Sequence, residues 1–278
     1  MNWRKEKRGT DPAPEPTTIN ESTAPEAPDA ELLWINAILW LLSIEVEIVG
    51  DIDEDELTPI IALAFPHISH IDMLVIAKAL HVLGRRWIMP VTKGDYWDKL
   101  GLRNVLQHLF PAGHVMTGWG KNKISNGVVR KRTVDRQLDL LIGNLSITLP
   151  VFPSGGRQEN PGPATNISSG AFVTAELAWQ IHNKDIPLYA MQIENMLPIF
   201  QKKVPTDGLH SPDKPAPKRS ELWAAVKRKF TGQKQVVKIR VTKLPLPSQT
   251  VKTAYDPTLL ADELQNAYKK IEANAFKN

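Results

Sequence analysis

The sequence predicts an α/β fold: a largely parallel mixed sheet flanked by helices, led by an apolar helix and a disordered N-terminal tail. Short apolar segments of strand length alternate with longer segments of helical periodicity, the order that builds a parallel sheet through helical crossovers. The run Ile60-Ile61-Ala62-Leu63-Ala64-Phe65 has no polar position, as expected of a buried strand. A chain of 278 residues accommodates one such domain with appendages.

Residues 1–30 carry Pro12, Pro14, Pro16, Pro25 and Pro28 with almost nothing to bury, so they form a disordered tail. The opening Met1-Asn2-Trp3-Arg4-Lys5-Glu6-Lys7-Arg8 has no apolar core, so it does not read as a secretory signal. Asp11, Glu15, Glu21, Glu26 and Asp29 argue against a transit peptide. A single domain is expected over 31–278, with a basic insertion at about 201–235.

From Leu32 to Leu42 only Asn36 interrupts an apolar stretch. It is too short to span a bilayer, so it is either a buried helix or an interfacial one; Trp34 and Trp40 suit the interface. Residues 44–49 alternate with strand period and stop at Gly50. The strand at 60–65 follows. A helix is expected over 71–83 with Gly84 just past its end. Further strands are expected at 87–91, 114–117, 146–152, 186–193 and 235–241, and helices at 96–110, 134–142 and 171–182. A last helix opens with Asp256-Pro257, a cap followed by proline at the first helical position.

Hydrophobic residues make up 42% and charged residues 23%, ordinary for a globular protein. The absence of cysteine removes disulfides, thiolate nucleophiles and cysteine metal sites. A net charge of +4 suits phosphates or acidic lipid head groups. No nucleic-acid-binding module is recognisable, so nucleic acid is not an expected partner.

Two loops carry the candidate chemistry. The first is Pro66-His67-Ile68-Ser69-His70-Ile71-Asp72. Ser69 occupies an N-cap position with Asp72 three residues on, much as in a capping box, which holds the carboxylate in the first helical turn near His67. A carboxylate beside an imidazole fixes its tautomer and stabilises the imidazolium it becomes, the arrangement for a general base. Taken alone, the same residues also read as a plain helix cap and a loop histidine; a His-x4-Asp spacing arises by chance roughly 0.4 times in such a chain. The second loop, Pro153-Ser154-Gly155-Gly156-Arg157, follows the strand at 146–152. Paired glycines let backbone N–H groups face an anion, and Arg157 can grip a phosphate with two donors. An ordinary turn with a solvated arginine is the other reading.

Together the loops resemble the PlsC-like glycerolipid acyltransferases, the family of 1-acylglycerol-3-phosphate and glycerol-3-phosphate acyltransferases. His67, Ser69 and Asp72 match its Asn-His-x-Ser-x-x-Asp-like (HX4D) motif. Phe152, Pro153, Gly155 and Arg157 match its Phe-Pro-Glu-Gly-Thr-Arg-like motif, and some members carry Pro-Ser-Gly-Gly-Arg. Ser169-Gly170-Ala171-Phe172 looks like its Lys-Gly-Ala-Phe helix start, and Ile186-Pro187-Leu188 its Val-Pro-Val-type strand. The resemblance spans roughly residues 32–195. Pro66 stands where the family has Asn, and Ser154 where it has an acceptor-site Glu.

The resemblance implies transfer of a fatty acyl group from acyl-CoA or acyl carrier protein to a hydroxyl of glycerol-3-phosphate or a lysophospholipid. His67 would be the base, Asp72 its orienter, and Ser154, Gly155, Gly156 and Arg157 the substrate-binding turn. No metal or other cofactor is expected. The implied place is the cytoplasmic face of a membrane, peripheral or monotopic. A non-catalytic lipid-binding relative and a thioester or ester hydrolase are the alternatives.

The basic insertion gathers nine lysines and arginines, Lys227, Arg228 and Lys229 among them, against Asp207, Asp213 and Glu221. Leu222, Trp223, Val226 and Phe230 fall on one helical face beside them. This reads as a basic amphipathic helix on an anionic bilayer, as a helix packed on the core with a solvated face, or as a site for the phosphates of coenzyme A.

Overall fold

A computed structural model describes residues 29–55, 58–69, 71–87, 92–93, 117–118, 137–139, 141–143, 147–154, 158, 162–196, 227–245 and 259–277. Helix α1 spans Asp29–Leu41, strand β1 Ile44–Val49, β2 Ile60–Phe65 and helix α2 Asp72–Val82. The short strands β3 (Arg86–Trp87), β4 (Thr92–Lys93) and β5 (Thr117–Gly118) follow, then β6 at Ile147–Val151. Helix α3 covers Gly170–His182, β7 Leu188–Glu194, β8 Gln235–Lys243 and helix α4 Leu259–Ala275. Residues 137–139 and 141–143 are helical, overlapping the helix expected at 134–142 and running one residue past it. The expected helix at 96–110, most of the basic insertion and the Asp256-Pro257 cap lie outside the described residues.

Six strands form one sheet in the order β1-β8-β7-β2-β6-β3, and β4 pairs with β5 separately. Every pairing in the large sheet is parallel except β7 with β8. This is the mixed, mostly parallel α/β architecture the alternation of segments predicts.

Strand β2 is buried throughout because it has a strand on each side and helices on both faces. Ile60, Ala62 and Ala64 face a core shared with α1 and α2. Ile61, Leu63 and Phe65 face a second core shared with α3 and α4. The period-two alternation of the strand thus divides one apolar run between two layers.

Helix α2 ends as Gly84 predicts. Gly84 has a φ of 70°, its N–H donates to His81 O at 3.0 Å, and Arg85 N donates to Leu80 O at 2.8 Å. These are the paired bonds of a Schellman motif. Arg85 is then buried, and its guanidinium donates to the carbonyls of Asp55 (2.8 Å) and Thr58, fastening the approach to β2. Gly50 ends β1 with a φ of 95°, and a Cβ there would lie 2.6 Å from Val241 O.

Helix α1 takes in Asp29 and Ala30, the last two residues of the tail expected at 1–30, because they continue the helical spiral of the apolar stretch; the rest of that expected tail lies outside the described residues. The helix buries one face of that stretch and exposes the other. Ile35, Leu39 and Leu42 are buried against α2 and the sheet, while Leu33, Trp34, Trp40 and Leu41 are exposed. Among the described residues, no helix is long and apolar enough to cross a membrane.

The reversal between β7 and β8 sets which rim each end occupies. Phe65, Gln192, Arg240 and Val49 stand in one register row. From that row β1 and β8 run back toward their starts, so residues 44–46 and 235–237 project beyond the end of β2, on the side where His67 lies.

Candidate functional site

Strands β2 and β6 are parallel neighbours, with Leu63 opposite Val151. Their C-terminal ends therefore deliver both motif loops to the same rim, the usual place for sites in α/β sheets. The peptide between Phe65 and Pro66 is cis, and His67 follows it.

The imidazole Nδ1 of His67 lies 3.0 Å from Asp72 Oδ2. The same oxygen accepts the backbone N–H of Ile68 at 2.7 Å and of Ser69 at 2.8 Å. The bond from Ser69 N is the reciprocal half of a capping box. The forward half differs from expectation: Ser69 Oγ accepts from Ile71 N at 3.3 Å, and the cap residue is Ile71, with no side-chain cap bond. Ile71 already has helical dihedrals, which brings its N–H, one residue before Asp72, onto the serine hydroxyl.

Asp72 is completely buried and the His67 side chain is 21% exposed. The carboxyl is raised above its ordinary range, chiefly because burial penalises the charge; the bonds from His67, Ser69 and Ile68 oppose that shift. Its other oxygen, Oδ1, is buried without a hydrogen-bond partner among the described residues. With Nδ1 committed to Asp72, the remaining ring nitrogen, Nε2, has no bond among the described residues. That is the geometry of an oriented base: one nitrogen anchored to a buried acid, the other available to take a proton.

The second loop closes on the first. Phe152 stacks on the His67 imidazole, ring centroids 4.2 Å apart and 24° from parallel. Gln158 N donates to His67 O at 2.5 Å, and Ser168 N donates to Pro153 O at 2.7 Å. Ser154 is half-buried in the turn leaving β6. Gly155, Gly156 and Arg157, the other expected members of the substrate turn, lie outside the described residues. Sequence reasoning paired His67 with Asp72 but gave no part to Gln158, whose link is made by backbone and leaves no mark in residue type. Phe152 entered only as a motif match; an aromatic directly after a buried strand facing a histidine loop was the available signal.

Behind the site, Phe65 meets Tyr268 edge-on at 5.6 Å and Phe276 at 6.2 Å, which seats α4 under the end of β2. Gln265 Nε2 donates to Ile167 O at 3.0 Å, tying α4 to the segment after the second motif. Glu176 of α3 accepts Ala261 N at 2.9 Å and so caps the first turn of α4. Among the described residues, no group of three or more His, Asp and Glu is arranged to hold a metal ion. No model of a known family matches the chain, and no curated protein matches it.

Proposed function

We propose that this chain is a membrane-surface acyltransferase of the PlsC-like kind, moving a fatty acyl group from an acyl thioester to a hydroxyl of a glycerolipid precursor. The observation that carries the reading is the 3.0 Å contact of His67 Nδ1 with the buried Asp72 carboxylate, on the rim where the second motif loop also arrives.

In this mechanism Nε2 of His67 takes the proton of the acceptor hydroxyl while Nδ1–H donates to Asp72. The hydroxyl oxygen bonds to the thioester carbonyl carbon, the carbon–sulfur bond breaks, and the thiolate leaves with the proton from the imidazolium. No acyl group is held on the protein. A positioned base of this kind supplies roughly 10²–10⁴ in rate. The donor is acyl-CoA or acyl carrier protein, and the acceptor glycerol-3-phosphate, lysophosphatidic acid or a related lysophospholipid. Its phosphate is assigned to the turn of Ser154, Gly155, Gly156 and Arg157.

The exposed side chains support a place at a membrane surface, and resemblance to the family makes it the cytoplasmic face. Leu33, Trp34, Trp40 and Leu41 project from α1, and Phe230 is 85% exposed beside Lys227, Arg228 and Lys229. Apolar side chains beside basic ones match the boundary between acyl chains and anionic head groups.

The test supplies acyl-CoA with and without glycerol-3-phosphate or a lysophospholipid and measures thiol release. Acceptor-dependent release that His67→Ala abolishes supports the proposal. Acceptor-independent release makes the chain a hydrolase, and no release makes it a binding protein.

A further inference from the structure

A cleft of about 390 Å³ opens between the C-terminal half of α1, the start of β1, the middle of α2 and the turn at 229–234. Leu39, Trp40 and Ile44 form its apolar walls, and Lys78, Lys229 and Lys234 stand around it. Lys234 pairs with Glu45 at 2.9 Å. Lys78 and Lys229 have no carboxylate partner among the described residues, and both are half-buried. Lys229 instead lays its ammonium 3.5 Å from the centre of the Trp40 ring.

Glu45 also lines the cleft, but its carboxylate is engaged by Lys234, which leaves Lys78 and Lys229 as the cations an arriving anion can pair with. Below the charges Leu39, Ile44 and Val46 outweigh the polar Asn36, Ser43 and Gln233, which suits a ligand with an apolar stem under its charge better than a hydrated ion. Trp40, 63% exposed, joins the cleft to the apolar outer face of α1. We infer that the cleft holds the head group of an anionic phospholipid, seated between Lys78 and Lys229 while its chains remain in the bilayer.

The cleft is separate from the His67 site. It lies at β1, three inter-strand spacings from β2, roughly 14 Å across the sheet. The inference rests on the membrane-surface part of the proposed function and is independent of the acyl transfer.

The experiment uses the full chain and vesicles of phosphatidylcholine alone or mixed in equal parts with phosphatidylglycerol, with inorganic phosphate as a competitor at constant ionic strength. Tighter binding to the mixed vesicles is expected, with each of Lys78→Gln and Lys229→Gln lowering that preference about fivefold. Lys269→Gln and Lys270→Gln, on α4 in the opposite layer, should leave it unchanged. Equal losses in both pairs would mean diffuse surface charge and overturn the inference. So would displacement of the mixed vesicles by phosphate as effective as displacement by soluble short-chain phosphatidylglycerol. Equal binding of the parent to both vesicle types overturns the head-group site and leaves the membrane reading standing; no binding to either overturns both. If Lys78→Gln does not fold, Lys229→Gln, outside the two buried cores, carries the test. Thiol release with a detergent-dispersed acceptor reports on the acyltransferase reading separately.

Discussion

The ring of Phe152 lies against the imidazole of His67, 4.2 Å between centroids and 24° from parallel, so the residue that follows strand β6 forms one wall of the first motif's histidine. Offset aromatic contacts of this kind contribute about 0.5–1.5 kcal/mol beyond area burial. Phe152→Ala is expected to lower acyl transfer about tenfold by letting the imidazole leave its reacting position. Phe152→Tyr should retain most activity. Comparing kcat with KM for the three proteins checks this, since a wall that only orients the base moves kcat.

Replacing Asp72 by Asn tests the charge of the pair. The N–H groups of Ile68 and Ser69 hold the amide oxygen where Oδ2 stands, so Nδ1–H keeps an acceptor while the imidazolium loses its counter-charge. Transfer should fall, by less than the roughly 10²–10⁴ that removing the base with His67→Ala costs. Proton NMR of the imidazole checks the geometry directly: the Nδ1–H resonance should persist in the Asn variant.

The pH dependence follows from the direction of the Asp72 shift. Burial raises this carboxyl above its ordinary value of about 3.9. As pH falls through the raised value, Asp72 takes a proton and ceases to accept from Nδ1–H. The carbon-13 resonance of the Asp72 carboxyl should therefore titrate at a pH above the usual carboxylate range. Titration of this carboxyl at or below about 3.9 would contradict the assignment.

Glu272 gives a stability counterpart. It is buried in α4 near Tyr268, and burial raises its carboxyl. The folded state thus holds this proton more tightly than the unfolded chain. That contribution to stability is complete below the unfolded value of about 4.3 and is lost as pH rises through the folded one. Glu272→Gln removes the loss, so the variant should melt higher than the parent at neutral pH and show a flatter dependence above pH about 4.3. Thermal melts across pH decide it.

Gly50→Ala should destabilise the fold by about 2–4 kcal/mol, since a φ of 95° disfavours any side chain and the added carbon meets the Val241 carbonyl at 2.6 Å. The obstacle is backbone in a paired strand, which cannot rotate away. Chemical denaturation measures the loss.

Much of this was legible in the chain itself. Strands β1 and β2 fall on the expected residues, because a strict alternation and a six-residue apolar run each fit a strand and are too short for a buried helix. The His67–Asp72 pair was legible because loop-plus-first-turn spacing leaves little freedom. What residue types do not encode is neighbourhood across the sheet. The antiparallel entry of β8 beside β7 and the order β1-β8-β7 are relations between distant segments that no local pattern in the chain carries. The Ser69 expectation failed in detail because the cap stands two residues on, at Ile71, directly before Asp72.

The bond from Gln158 N to the carbonyl of His67 makes the two loops one mechanical unit. Whatever rigidifies the turn after β6 also rigidifies the main chain that bears the imidazole. Energetic effects of paired substitutions, one per loop, should then fail to sum, departing from additivity by about 0.5–3 kcal/mol as directly linked sites do.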